Sequence, residues 1–184
     1  MSNSANVNAG KPASSGAVFV APLGTALPTD ATTAKNVAFV EVGYISSDGV
    51  TNSNAITSND IKAWGGDTVL TLNTDKTDTF AFTMIESDNI NALKVAFGDA
   101  NVTADANGNL TILANNKPQA NREFIIEMIE ADNYARRIVI PSGAVSSLGD
   151  IVYKDDSAIG YPITITAVAD SSGNTHYEYV QQHA

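Results

Sequence analysis

Chemistry in this chain has few places to start. Two imidazoles, His176 and His183, are the side chains whose ordinary pKa suits a general base near neutral pH, and cysteine is absent. His176 falls in the alternating run His176-Tyr177-Glu178-Tyr179-Val180, as a strand residue would, while His183 stands close to the last residue. Both read as structural or solvent-exposed. Glu123 and Glu127 share one face of a strand with Ile125 between them, but a glycosidase pair sits across a cleft, and one strand face more simply lines a surface. The stretch DANGN, 105–109, resembles a calcium loop until its spacing is checked. Glycine comes at the fourth position instead of the sixth, and Asn116 stands where a bidentate carboxylate is needed. That stretch and DSSGN, 170–174, read as turns. With no phosphate-binding glycine loop, nucleophile elbow or HExxH, the expectation is no enzyme, no metal and no cofactor.

The framework holding these residues is a chain of 184 residues, 43% hydrophobic, enough for one domain with a real core. Ten Lys and Arg against twenty Asp and Glu leave a formal charge of −10. Such a surface repels phosphates, so nucleic-acid binding through a basic patch is not expected. The adjacent pair Arg136-Arg137 would be split between two faces by strand alternation. The opening MSNSANVNAGKPASSG lacks an apolar h-region and no later run approaches a membrane span, so neither a secretory signal nor a membrane partner is expected.

Residues 1–36 read as an extended N-terminal arm and 37–184 as a single domain. The arm's apolar content lies in AVFVAPLG, 17–24, where Val18, Phe19 and Leu23 are too few to fold alone but suit contact with a neighbouring subunit. From Val37 onward period two dominates. Runs at 39–46, 60–65, 67–74, 77–87, 122–131, 134–143, 150–154, 161–169 and 175–180 predict about nine strands. Turns are predicted at Gly65-Gly66-Asp67, Asn73 to Asp78, Asp132-Asn133, Asp155 to Ser157 and Asp170 to Asn174. A helix is predicted over about 88–98, capped by Asp88, ended by Gly98, with Ile90, Leu93 and Phe97 on one face. The fold class is mainly β, a sandwich or small barrel with one short helix. SSDGVTNSNAITSND, 46–60, reads as a long polar connection. Trp64, just before Gly65-Gly66, is expected to pack on the core, with an exposed aromatic platform as the alternative.

Four phrases together carry a resemblance: APLGTALPTDATTA in the arm, VGYISSDGVTNS, IKAWGGDTVLTLNTDKTDTFAFTMIES, and the closing GDIVYKDDSAIGYPITITAVADSSGNTHYEYV. They resemble the major tail protein, the tail tube subunit, of bacteriophages with long non-contractile tails, over about Ala17 to Val180. The resemblance implies a β-sandwich that self-assembles into hexameric rings, stacked into a hollow tube through which double-stranded DNA leaves the capsid. Four strands per subunit would line the lumen, and loops and arms would reach neighbouring rings. The implied partners are other copies, the tape-measure protein, and the tail terminator and distal tail proteins, with assembly in the bacterial host cytoplasm and a final place in the virion tail. DNA would pass transiently without specific binding.

A basic lumen would hold DNA by counterion release, so the net acidity suits a conduit. The candidate lining strands are 39–46, 57–64, 122–131 and 134–141, with Glu123 and Glu127 as the leading inward carboxylates and Glu41 next. Replacing Glu123 and Glu127 by Lys is then expected to leave tubes intact and to slow DNA release. Ser47, Asp48, Gly49, Val50, Thr51, Asn52 and Asn54 are the candidate ring-to-ring contacts, and Val18, Phe19 and Leu23 the candidate arm contacts. A capsid-decoration or glycan-binding β-sandwich is the alternative; it would form a monomer or trimer with an exposed aromatic platform.

Overall fold

A computed structural model describes Ser2 and residues 7–13, 16–130 and 134–182. His183 and the turn expected at Asp132-Asn133 lie outside the described residues. The strands are β1 (Lys11–Pro12), β2 (Val18–Pro22), β3 (Val40–Glu41), β4 (Thr51–Lys62), β5 (Thr68–Met84), β6 (Val102–Ala104), β7 (Leu110–Ile112), β8 (Arg122–Ile129), β9 (Tyr134–Leu148), β10 (Tyr161–Ala167) and β11 (Tyr177–Gln182); one helix, α1 (Ile90–Phe97), follows β5. Nine of these strands form one antiparallel sheet in the order β3-β2-β8-β9-β10-β5-β4, with β1 on β8 and β11 on β9, and β6 and β7 pair separately. The architecture is mainly β, as the alternating runs predict, and the sheet folds into a sandwich without closing into a barrel.

The long strand β9 makes two layers out of one sheet. Its first part pairs with β8 and β11 and its last part with β10. Gly143 is the corner, opposite both Arg122 and Ala167, and a Cβ there would lie 2.7 Å from Ile165 and 2.9 Å from the Phe124 ring. A side chain at that point would wedge the layers apart. Between the layers Phe80, Phe82 and Met84 of β5 meet Ile163 and Ile165 of β10, Phe124 and Ile126 of β8, and Ile140 of β9. Leu93 and Val95 of α1 join this core. Asn89, not Asp88, caps the helix: its Oδ1 accepts from the backbone N–H of Asn91 at 2.9 Å, and Gly98 ends the helix by donating to the Lys94 carbonyl.

Several local expectations change. The run 39–46 keeps only Val40–Glu41 and a single bridge from Ile45 to Met84, because the chain turns at Gly43, which has positive φ, and Tyr44 N–H donates to Glu86. Residues 150–154 alternate in sequence but form no strand; β10, which follows them, is already paired on one side with β5 and on the other with β9. No turn forms at Asn73 to Asp78. β5 runs through it, since Asn54 to Ser58 of β4 pair along it, with one register shift at Thr57/Ser58. Turn-forming residue types yield here to a long-range ladder. The long connection expected over 46–60 is correspondingly a short turn closed by Gly49 N–H on the Ser46 carbonyl, and then strand from Thr51. DANGN and DSSGN are turns, with Asp105 Oδ1 accepting from Asn107 and Asn109 N–H, and Asp170 Oδ1 from Ser172 and Asn174 N–H.

Candidate functional site

Two segments leave the core, and their fates differ. The first, 23–39, is a strap joining β2 to β3 across the outer face of β8 and β9. It has no ladder of its own, so side chains from the sheet satisfy its backbone. Glu123 Oε1 accepts from Gly24 N–H at 2.8 Å, and Arg137 donates from Nη1 to the carbonyls of Asp30 and Thr33, each at 2.8 Å. The same guanidinium donates to Glu127 from Nε at 2.9 Å and Nη2 at 2.6 Å, and Lys35 reaches Glu127 Oε2 at 3.1 Å while its ammonium sits over the Phe19 ring. Beneath lies a small second core of Phe19, Ala21, Phe39, Ile125 and Val139, with Leu27, Tyr177 and Tyr179 packed against it. In the strap, the Thr33 hydroxyl and the N–H groups of Thr33 and Thr32 hold the Asp30 carboxyl down at about 2.

The alternation that puts Glu123 and Glu127 on one face is real, but their own strap covers that face, leaving them 4% and 8% exposed. Burial pushes the Glu123 carboxyl up, against the hydrogen bonds from Gly24 and Thr25. The double Lys replacement therefore acts first on the subunit's own fold, since it places new cations beside Lys35 and Arg137 in a buried site. Of the arm contacts, Val18 and Phe19 are spent inside the subunit, as β2 pairs with β8 and both are buried; Leu23 stays exposed. Glu41 is exposed on β3, one strand removed from β8 across β2, and lines an open cleft together with Glu127.

The second segment is the hairpin of β4 and β5. All of β4 and the first ten residues of β5, Thr68 to Thr77, are exposed. At roughly 3.4 Å per residue, those ten residues carry the ribbon about 34 Å beyond the body. Its backbone needs no help because the two strands pair along their length. Ser47, Asp48 and Gly49 form the exposed turn before it, Val50 is half-buried, and Thr51, Asn52 and Asn54 belong to β4 itself.

The register gives the ribbon two unlike faces, since residues directly opposite share a side. On one, the pairs are Ser58 with Asn73, Asp60 with Thr71, and Lys62 with Thr68. On the other, Asn59 lies opposite Leu72 and Ile61 opposite Leu70, so three apolar side chains cluster in water. Trp64, expected in the core, is fully exposed at the tip, in the turn closed by Gly66 N–H on the Ala63 carbonyl. The glycine pair that signalled the turn also carries the indole away from the core. These apolar residues were missed as a surface; the clue was period two at Ile61, Leu70 and Leu72 among Asn, Ser and Thr.

At the ribbon's base Asp78, 1% exposed, accepts from Asn52 Nδ2 at 2.7 Å and Thr175 Oγ1 at 2.6 Å, with His176 Nδ1 at 2.5 Å. Burial pushes this carboxyl up, but the hydrogen bonds from Thr175, Asn52 and His176 outweigh it and hold the pKa below the ordinary value. Thr175 gives its proton to the carboxylate, not to the imidazole, so no nucleophile is activated. The cluster ties the closing strand to the root of the hairpin. Among the described residues no group of His, Cys, Asp and Glu could hold a metal.

A groove of about 470 Å³ lies at the opposite end of the strand order, among β2, β3 and α1, lined by Leu23, Ala38, Val40, Lys94, Asp99 and Arg122. A long exposed ribbon leaves an apolar face open to a partner, and among the described residues no catalytic constellation stands beside it. A family profile described as phage tail tube protein matches residues 3–184. The chain belongs to the phage tail tube protein family. Membership in the tail tube family makes it a structural component of a virion tail, a tail protein that assembles with itself and with other tail proteins. No curated protein matches the chain.

Proposed function

We propose that this tail tube subunit assembles into hexameric rings stacked as a hollow tube, the conduit for double-stranded DNA ejected into the host cell. The observation that carries the reading is the β4–β5 ribbon. Isolated two-stranded hairpins are marginal in water, and a twelve-residue edge strand with a free ladder invites pairing. A neighbouring copy that covers the apolar face and pairs the β4 edge removes both liabilities. The more polar face, with Asn52, Asn54, Ser58, Asn73 and Thr71 around Asp60, Lys62 and Lys76 and with Ile56 among them, then suits an aqueous lumen: DNA slides past amides and hydroxyls, and two lysines make no continuous basic track to hold it. Glu41 is exposed and would add a repelling carboxylate; Glu123 and Glu127 would join the lining only if the strap left β8 on assembly. The turn Ser47 to Val50 at the root of the ribbon supplies ring-to-ring contact. Tape-measure, terminator and distal tail proteins would engage the inside and the ends of the tube, with assembly in the host cytoplasm.

The test is negative-stain electron microscopy of the purified protein at low and high concentration, with sedimentation beside it. Hollow tubes or stacked rings are expected. Trp64 also meets the requirement of the alternative, a decoration or glycan-binding module with an exposed aromatic platform, and a stable compact trimer that never polymerises would favour that alternative.

A further inference from the structure

We propose that the hairpin tip, Ala63–Asp67, seats in the groove among β2, β3 and α1 of a second copy, with Trp64 on the apolar floor and Asp67 against Lys94. The inference rests on the self-assembly reading and adds to it which two surfaces meet. Both are uncovered in the single chain. Trp64 touches solvent on every side, and in the groove Leu23 and Val40 are 58% and 41% exposed. No residue of the chain's own ribbon lines the groove, so nothing within one subunit fills it.

Charge and topology support the pairing. Lys62 and Asp67 flank the indole. Across the groove Lys94 makes no ion pair among the described residues, and Asp99, although it meets Arg122 at 3.3 Å, keeps a side chain that is 70% exposed. With Arg122 buried beneath Asp99, the charges the groove presents are Lys94 and Asp99, which allows Asp67 to meet Lys94 and Lys62 to meet Asp99, with the Lys94 ammonium also free to lie over the indole. The knob is carried by β4 and β5 and the groove by β3 and β2, opposite ends of one strand order. A contact that uses a different surface on each partner repeats from copy to copy, and it closes into a ring or continues as a filament.

The absence of cysteine makes a direct test possible. Ala63→Cys and Ala38→Cys, both at exposed positions, are prepared as separate proteins, mixed, allowed to assemble and oxidised. A disulfide joining position 63 of one chain to position 38 of another, identified by mass spectrometry, is expected. Lys94→Glu should raise the concentration needed for assembly about tenfold, and adding Asp67→Lys should restore it. Tubes that form without the mixed disulfide, and for which Asp67→Lys brings no rescue, overturn the docking while leaving the tube intact. A protein that forms no tube, ring or other oligomer at any concentration overturns the assembly reading, and the docking with it.

Discussion

The strap and the hairpin are both polar extended segments, yet the molecule treats them oppositely. The strap has no hydrogen-bonding partner strand, so buried side chains meet its backbone: Glu123 accepts from Gly24 N–H, Arg137 donates to the carbonyls of Asp30 and Thr33, and Glu127 holds Arg137 in place. The hairpin pairs its inward-facing backbone groups internally and its outward-facing ones meet water, so it can leave the body without help from buried side chains. Its unmet need is apolar. Ladder hydrogen bonding thus frees a segment from its own subunit, and in the proposed assembly a second copy covers its exposed apolar area. Glu123 and Glu127 on the sheet serve the fold, and in the proposed assembly the neutral polar and apolar residues of the ribbon are the surface that meets another copy.

Breaking the strap should give the largest effect. Glu127→Lys removes the partner of Arg137 and Lys35 and buries like charges, so a loss of about 3–5 kcal/mol is expected in denaturant unfolding. A stability close to the unmodified protein would mean that the strap is not held through this cluster. Asp78→Asn should cost about 1–3 kcal/mol, because a buried network loses a charged acceptor. The sign with pH follows from its lowered pKa. The carboxylate's contribution is fully present above its unfolded value near about 3.9 and is lost as pH falls through the lower folded value. The difference between the unmodified protein and Asp78→Asn should therefore shrink on acidification, read by thermal melts at several pH values.

Glu123 carries the opposite sign. Its folded pKa is raised, so its contribution is present below the unfolded value and is lost as pH rises through the folded one. Glu123→Gln keeps an acceptor for Gly24 N–H and should raise stability at pH 7 by about 1 kcal/mol or less, with no gain at pH 4. A gain as large at pH 4 would remove burial of the charge as the cause. On the hairpin, Trp64→Ala should shift monomer stability by no more than about 0.5 kcal/mol while greatly weakening assembly. A large drop in monomer stability would show that the tip packs on its own body and would erase the contrast between the two segments.

Much of this molecule follows from local pattern. The mainly β class, α1 with its Gly98 stop, the turns at Gly65-Gly66, DANGN and DSSGN, and the splitting of Arg136 from Arg137 all depend on neighbours a few residues away. Arg137 lies under the strap, while Arg136 pairs with Glu130 and Glu178. The phrases that resemble the tail tube family were likewise visible in the chain, and the profile match over 3–184 places it there. Other features were decided only by pairing across long separations. Asn73 to Asp78 has turn composition but lies straight because Asn54 to Ser58 runs beside it, and Glu123 and Glu127 alternate like surface residues but are covered by a segment about 90 to 100 positions earlier. Trp64 has the composition of a core residue and stands in water because the ribbon beneath it extends past the body. Alternation assigns a residue to a face of a strand. Which face meets protein and which meets solvent depends on what the rest of the chain lays over it.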